Sequence, residues 1–368
     1  MTTIKLNLII LSILLAVVSC RDKYSDKIYT LNEITIKTVQ YAEVDYSNIF
    51  SIWAEEFNLD PSFVPTGNTI LRTAKRWGIG DMDTDLKMKV YSPPSKKWGT
   101  RPVVILFHGG GFVTGDMDNP SIKILCNEFA QRGYVAITVQ YRKMNWLTPS
   151  LAKAGYTATQ DARAAVRYVA NHSKELGVNP NNIFLGGVSA GGCLALQTAF
   201  YDKGEDIEQR TSKLDRMYGH IDCIGEKQVT NFTIKAVLNI AGAIGSLDWI
   251  DNNNISVISF YGEKDNIIPD RCGVPFPNQG KKYDKVIKRI KSLLRKHKKL
   301  VDKITEAHLF EVCSSKEIHI RLKKNNVQTI CHEYKGEDHS FMVSSNGNLT
   351  TPGQTTVEMA IQFFKEQL

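Results

Sequence analysis

The stretch from Asn182 to Phe200, NIFLGGVSAGGCLALQTAF, constrains this chain more than any other. It opens on Ile183-Phe184-Leu185, an apolar run that reads as a short buried strand, and turns through Gly186 to Gly192. A helical pattern follows, with Leu194, Leu196 and Ala199 among its apolar positions. Strand, tight turn and helix in such close succession leave no room for side chains at the turn. Gly187 and Gly191 stand two residues either side of Ser189 in G-x-S-x-G, where neighbouring chain can then pass without Cβ clashes. A serine on such a turn is pushed out at the carboxyl edge of a sheet. The amide of Ala190, which opens the helix, is left without an intrahelical acceptor. The spacing predicts a nucleophilic serine, provided that the chain also supplies a base, an acid and donors for a developing oxyanion.

Each of these has a candidate just beyond a predicted strand. The continuous apolar run Pro102-Val-Val-Ile-Leu-Phe107 reads as a strand buried on both faces and leads directly into His108-Gly109-Gly110-Gly111-Phe112. Three successive glycines cost chain entropy, so a backbone role is expected, with bare amides aimed at a negative oxygen. His108 reads as a brace for this loop rather than a titrating group. The run from Ile255 to Tyr261 precedes Gly262-Glu263-Lys264-Asp265, and the run from Val327 to Tyr334 precedes Gly336-Glu337-Asp338-His339. Between residues 103 and 200 strand and helix patterns alternate, with helices expected at 121–132 and 161–171, the signature of a parallel sheet with right-handed crossovers. Strand ends of such a sheet share one edge, so Ser189, Asp265 and His339 can converge. A serine hydroxyl needs a base near pH 7, histidine suits that task, and a carboxylate fixes its tautomer.

The competitors are weaker. His172, His220, His297, His308 and His319 lie in polar or helical surroundings and read as surface or satisfied residues, and His332 lies within the last strand. Asp338, adjacent to His339 in sequence, is poorly placed to reach its Nδ1. Glu263 follows Gly262 directly, with less loop to carry it over the rim.

HGGGF at 108–112, GGVSAGG at 186–192, GEKDNIIP at 262–269 and GEDHSF at 336–341 together resemble the α/β-hydrolase esterases. The nearest likeness is to carboxylesterase- and lipase-like members with His-Gly-Gly-Gly loops, among them hormone-sensitive-lipase-like, acetyl-esterase and feruloyl-esterase-like groups. The resemblance covers about residues 85–368. It implies an α/β-hydrolase fold, a mostly parallel central sheet with helices on both faces. It also implies Ser189 as nucleophile, His339 as base and Asp265 as acid, with oxyanion amides from Gly110, Gly111 and Ala190 and no metal or organic cofactor. Two positions depart from the pattern. Val188 stands where an acid or histidine often precedes the nucleophile, and Tyr261 stands where many relatives have histidine. The expected activity is carboxylic-ester hydrolysis on a small-molecule or carbohydrate ester. Amide hydrolysis on the same fold, lipase action at an interface, and a non-catalytic surface lipoprotein are the alternatives.

Outside these motifs the chain divides unevenly. Leu8 to Val18 is an apolar run too short to span a bilayer, preceded by Lys5 and followed by Ser19-Cys20 and the charged Arg21-Asp22-Lys23. Residues 1–19 therefore read as a lipoprotein signal peptide, with Cys20 lipidated and the exported protein tethered to a bacterial envelope membrane. Residues 20–78 read as an extension and 79–368 as the hydrolase domain. Six further cysteines allow fifteen pairings, so connectivity is not readable. Cys126 and Cys193 suit a core, and Cys272 and Cys313 bracket an apparent insertion at 270–313, where a bridge is one guess. The formal net charge of +8, or +7 without Lys5, is concentrated in that insertion. Residues 281–303 hold eleven Lys/Arg against Asp284 and Asp302, on a pattern expected to form an amphipathic helix. Aromatic residues do not interleave with this run beyond Tyr283, so no nucleic-acid partner is expected. The oligomeric state is not readable.

Overall fold

Seven consecutive buried residues, Arg101–Phe107, form strand β3 of the computed structural model, which describes residues 23–45, 85–94, 99–143, 151–201, 214–216, 218–251, 253–275 and 311–368. Successive side chains of a strand point to opposite faces. Val103, Ile105 and Phe107 accordingly enter one apolar core, and Val104 and Leu106 enter a second on the other side of the sheet. A strand buried on both faces belongs at the centre of a sheet, and this one lies between strands β4 (Val135–Val139) and β5 (Val178–Val188).

The sheet has eight strands. The remaining ones are β1 (Thr35–Glu43), β2 (Asp85–Ser92), β6 (Ile234–Ile240), β7 (Ser256–Gly262) and β10 (Thr329–Tyr334), in the order β1-β2-β4-β3-β5-β6-β7-β10. Every pairing from β4 to β10 is parallel, and β2 is antiparallel to both β1 and β4. Two short strands, β8 (Cys272–Gly273) and β9 (Val312–Cys313), pair separately. Residues 35–43 thus add the edge strand to the sheet of the main body.

Helices cover both faces. Helix α1 (Pro120–Gln131) and helix α5 (Thr351–Glu366) pack on one side, where Phe129, Phe184 and Phe364 stack with ring centroids 4.5–5.5 Å apart. Each begins on a side-chain cap with a proline in its first turn. Asn119 accepts from the Ser121 amide at 3.1 Å, and Thr350 accepts from the Gly353 amide at 3.0 Å. Helices α2 (Leu151–Asn171) and α3 (Ala190–Phe200) contribute to the opposite core, as does α4 (Ser315–Lys324).

Two elements are longer than their sequence patterns predict. Helix α2 begins ten residues before Asp161, and its first half is largely buried, the polar Thr157, Thr159 and Gln160 included. Strand β5 extends back from Ile183 to Val178, with its pairing interrupted near the sheet's amino edge. The polar stretch 201–230 is fastened to α2 where it is described, since Asp222 bonds both Arg163 and Arg167. Residues 1–20, the expected signal peptide and Cys20, lie outside the described residues, as do Trp53, Phe57, Leu59 and Trp77 of the extension and the basic run 281–303. Among the described residues no helix is long and apolar enough to cross a membrane.

Candidate active site

Ser189 joins β5 to α3 with φ 56° and ψ −121°, a conformation that L residues hold only under constraint. The constraint is local. The Ser189 amide donates to the carbonyl of Ile240 at 2.7 Å, and the Ser189 carbonyl accepts the Cys193 amide at 3.0 Å to close the first helical turn. Neighbouring backbone crowds the turn. A Cβ on Gly191 would lie 2.0 Å from the Phe107 carbonyl oxygen, and one on Gly187 would lie 2.3 Å from the Gly191 carbonyl. No side chain fits at either position.

His339, in the loop after β10, faces this serine. Its Nδ1 donates to Oδ2 of Asp265 at 2.8 Å, which leaves Nε2 as the acceptor for the Ser189 hydroxyl, also at 2.8 Å. Asp265 lies in the loop after β7 and is itself oriented, because its Oδ1 accepts the amides of Ile267 at 2.8 Å and Ile268 at 3.0 Å. Three side chains separated by up to 150 positions in sequence therefore form one hydrogen-bonded line at the carboxyl edge of the sheet. Such a line can take a proton from the hydroxyl and return it to a leaving group.

The glycine loop follows β3. Gly110 (φ 126°) and Gly111 (φ 63°) both adopt conformations that a side chain disfavours, and a Cβ on Gly110 would lie 2.1 Å from the Thr114 carbonyl oxygen. The turn is closed by the amides of Val113 and Thr114, each donating to the Gly110 carbonyl at 3.0 Å. His108 is fully buried beneath the loop, stacked on the Tyr141 ring at 4.2 Å, with Nδ1 donating to the Gly109 carbonyl at 2.8 Å. Burial pushes this imidazole down to about 4, so it stays neutral at ordinary pH and acts as a strut. Tyr141 completes the support by donating from its hydroxyl to the His108 carbonyl at 2.6 Å.

Gly109, Gly110, Gly111, Ser189 and His339 line one cleft of about 520 Å³. Val113, Val188, Ile267, Met342 and Val343 give it apolar wall, and Thr114, Asn119, Ser121 and Ser340 give it polar positions. Ala190 is the first residue of α3, where the fold leaves its amide without an intrahelical acceptor. The sequence singled out the glycines and Ser189 but not the wall. Ile267, Met342 and Val343 follow Asp265 and His339 by two to four positions, and that adjacency is the one signal that could have found them.

Supporting polar groups also escaped the sequence. Asp161 on α2 is fully buried and accepts Nε of Arg142 at 2.9 Å and the Arg142 amide at 2.7 Å. Arg142 also donates to the Thr157 carbonyl and to Gln160. Glu263, weighed and set aside as an acid, accepts the Gly336 amide at 2.8 Å, while Asp338 caps its own loop through the Ser340 amide at 2.7 Å. His319, expected to be a surface or satisfied residue, is not on the surface and is satisfied at one ring nitrogen. It is 2% exposed on α4, contacts the Thr329 hydroxyl through Nδ1, and has no partner for Nε2 among the described residues. Its lysine-rich helix, SKEIHIRLKK, conceals the one face that packs on β7 and β10. Cys126 and Cys193 are buried as expected, and Cys272 is bonded to Cys313.

Comparison with known proteins agrees with this architecture. The BD-FAE family pattern matches residues 88–255. Lipase 2 of Moraxella sp. is 36% identical over 122 residues, 33% of this chain and 26% of that protein. Esterase LipI of Mycobacterium tuberculosis is 37% identical over 109 residues, 29% of this chain and 32% of that protein. The matches thus span about a quarter to a third of these relatives' own length. Among solved structures, a thermophilic esterase from the planctomycete Thermogutta terrifontis superposes with a TM-score of 0.51 at 21% identity, covering 78% of this chain and 90% of that one. At that identity the likeness speaks for the fold. Residues 88–255 thus resemble the esterase-like BD-FAE family, and the described chain has an α/β-hydrolase fold.

Proposed function

We propose that the protein is a serine carboxylic-ester hydrolase that works through an acyl-enzyme. Ser189 attacks the ester carbonyl as His339 takes its proton, and Asp265 stabilises the resulting imidazolium. The oxyanion is received by the amides of Gly110, Gly111 and Ala190, and the imidazolium then protonates the departing alcohol. Water repeats the sequence to release the acid. The observation that carries this proposal is the unbroken line Asp265–His339–Ser189, with 2.8 Å at both joints, opening on a cleft walled by the glycine loop.

The cleft volume and its mixed lining favour short acyl groups, on small-molecule or carbohydrate alcohols. An acyl-chain series of p-nitrophenyl esters, beside matched anilides and with Ser189→Ala as control, tests the assignment. Turnover of short esters that disappears in Ser189→Ala is expected. Activity that survives the substitution removes Ser189 from the chemistry, and turnover confined to anilides makes the enzyme an amidase. We also propose, from the amino-terminal sequence, that Cys20 is lipidated and that the protein acts while tethered to the cell envelope. Mass spectrometry of the mature amino terminus should find a diacylated or triacylated cysteine; an unmodified start elsewhere ends that proposal.

A further inference from the structure

Residues 270–275 and 311–316 are described and lie side by side as a neck. Cys272–Gly273 pairs antiparallel with Val312–Cys313, and a disulfide joins the opposed cysteines. Cys313 exchanges two further backbone hydrogen bonds with Ile244, at 2.8 and 3.0 Å. The Ser314 amide and hydroxyl donate to the carbonyls of Arg271 at 3.0 Å and Asp270 at 2.9 Å, and Lys316 pairs with Asp270.

This neck touches the proposed chemistry from two directions. On one side Asp270 follows Ile267-Ile268-Pro269, and the amides of Ile267 and Ile268 hold Oδ1 of Asp265. On the other, Ile244 ends a loop in which the Ala243 amide donates to Sγ of Cys193 on α3 at 3.2 Å. Ile240, just before that loop, accepts the Ser189 amide. The cystine therefore stands between the acid loop and the elbow and clamps one to the other.

We propose that the Cys272–Cys313 disulfide is a positioning element of the active site, holding the Asp265 loop against the 241–244 loop so that the carboxylate meets His339 in its productive orientation. The role presupposes the Ser189–His339–Asp265 chemistry proposed above. Strands of two residues are marginal by themselves, so without the covalent tie the acid loop relaxes. Displacement of a reacting group by about 1 Å can cost up to about a hundredfold in rate. Cys272 is exposed, so a dithiol can reach the bond. Exchange leaves two protein thiols and converts the dithiol to its own disulfide, with two electrons and two protons transferred to the protein.

The test uses the folded full-length protein, reduced with dithiothreitol, with two newly alkylatable thiols verified by mass. On p-nitrophenyl acetate kcat should fall roughly tenfold with KM changed by less than about twofold, and should return on reoxidation. The paired substitution Cys272→Ser and Cys313→Ser should reproduce the reduced state without reductant. In Asp265→Asn, assayed at enough enzyme to read its residual turnover, reduction should bring no further fall, because the group being positioned is already lost. Unchanged kcat with the bond verified open overturns the proposal, as does an equal fall in both backgrounds, which would mark general loosening. Full activity in Ser189→Ala would instead strike the underlying chemistry, and the proposal with it.

Discussion

Glu263 accepts the Gly336 amide at 2.8 Å, and so fastens the loop that carries Asp265 to the loop that carries His339. The fastening is reciprocal. The Glu263 amide donates to the Tyr334 carbonyl at 3.0 Å and the Lys264 amide to the Glu337 carbonyl at 2.8 Å. At Gly262 the two backbones approach so closely that a Cβ would lie 2.3 Å from the Asp338 carbonyl oxygen. Main chain thus ties the start of the Asp265 loop to the start of the His339 loop. The Gly336 amide, and then Lys335, also hold the Glu263 carboxyl below its ordinary value, so the carboxylate persists into mild acid.

Glu263→Ala removes one of these fastenings and leaves the others. Because the carboxylate is half exposed, the expected loss is small, roughly two- to fivefold in kcat for short esters with KM nearly unchanged. Steady-state kinetics on p-nitrophenyl acetate would check it. A loss as large as that of the Asp265 variants would mean that Glu263 has been misassigned as a support.

Asp265→Asn and Asp265→Ala separate charge from architecture. Asparagine keeps an oxygen for the Ile267 and Ile268 amides but not the charge that faces the imidazole, so kcat should fall by about 10⁴ with little change in Tm. Alanine leaves both amides without their acceptor as well, which costs about 1–3 kcal/mol more in stability. The pair should show similar kcat and different Tm. Equal Tm values would show that the two amides find other acceptors.

The elbow was legible in the sequence because its requirements are steric and strictly local, and Gly187 and Gly191 could be read as glycines that nothing else can replace. Asp265 and His339 were legible because each follows an apolar run by a few residues, and parallel strands must end at one edge. The Arg142–Asp161 pair was not legible. Nothing in YRKMN or ATQDARAA marks either charge as buried, since the partner that neutralises each lies 19 positions away on another element. The first half of α2 was hidden for a related reason. Its Thr157, Thr159 and Gln160 are buried by tertiary contacts, yet as a run of polar residues they resemble a surface loop.

That buried pair yields a stability prediction. Arg142 and Asp161 are 3% and 0% exposed at their side chains and join the segment after β4 to α2. Asp161→Asn removes the carboxylate that accepts the buried Arg142 guanidinium and amide, which should cost about 3–5 kcal/mol. Urea unfolding should show the midpoint shifting down with the slope preserved. A variant as stable as the parent would show that water or another group reaches Arg142.

Two imidazoles kept neutral by burial set the response of the fold to acid. His108 lies under the glycine loop and His319 against β7 and β10, and burial lowers them to about 4 and about 3. An unfolded histidine titrates near 6.5, so between that pH and the folded values the unfolded chain binds protons that the folded chain refuses. Stability from this source is therefore complete above about pH 6.5 and is lost as pH falls toward 4 for His108 and toward 3 for His319. The loss is on the order of 3 kcal/mol for His108 alone. Carboxylates contribute to acid unfolding too, so the comparison must be made within one background. Urea midpoints at pH 7.0, 5.5 and 4.5 should fall steeply in the parent and less steeply in His108→Gln, where glutamine can still donate to the Gly109 carbonyl. His319→Gln should flatten the slope independently, because the two rings sit in separate parts of the core. Identical slopes in the parent and both variants would mean that these imidazoles gain their protons without unfolding the chain, and that the strut beneath the glycine loop tolerates a charge.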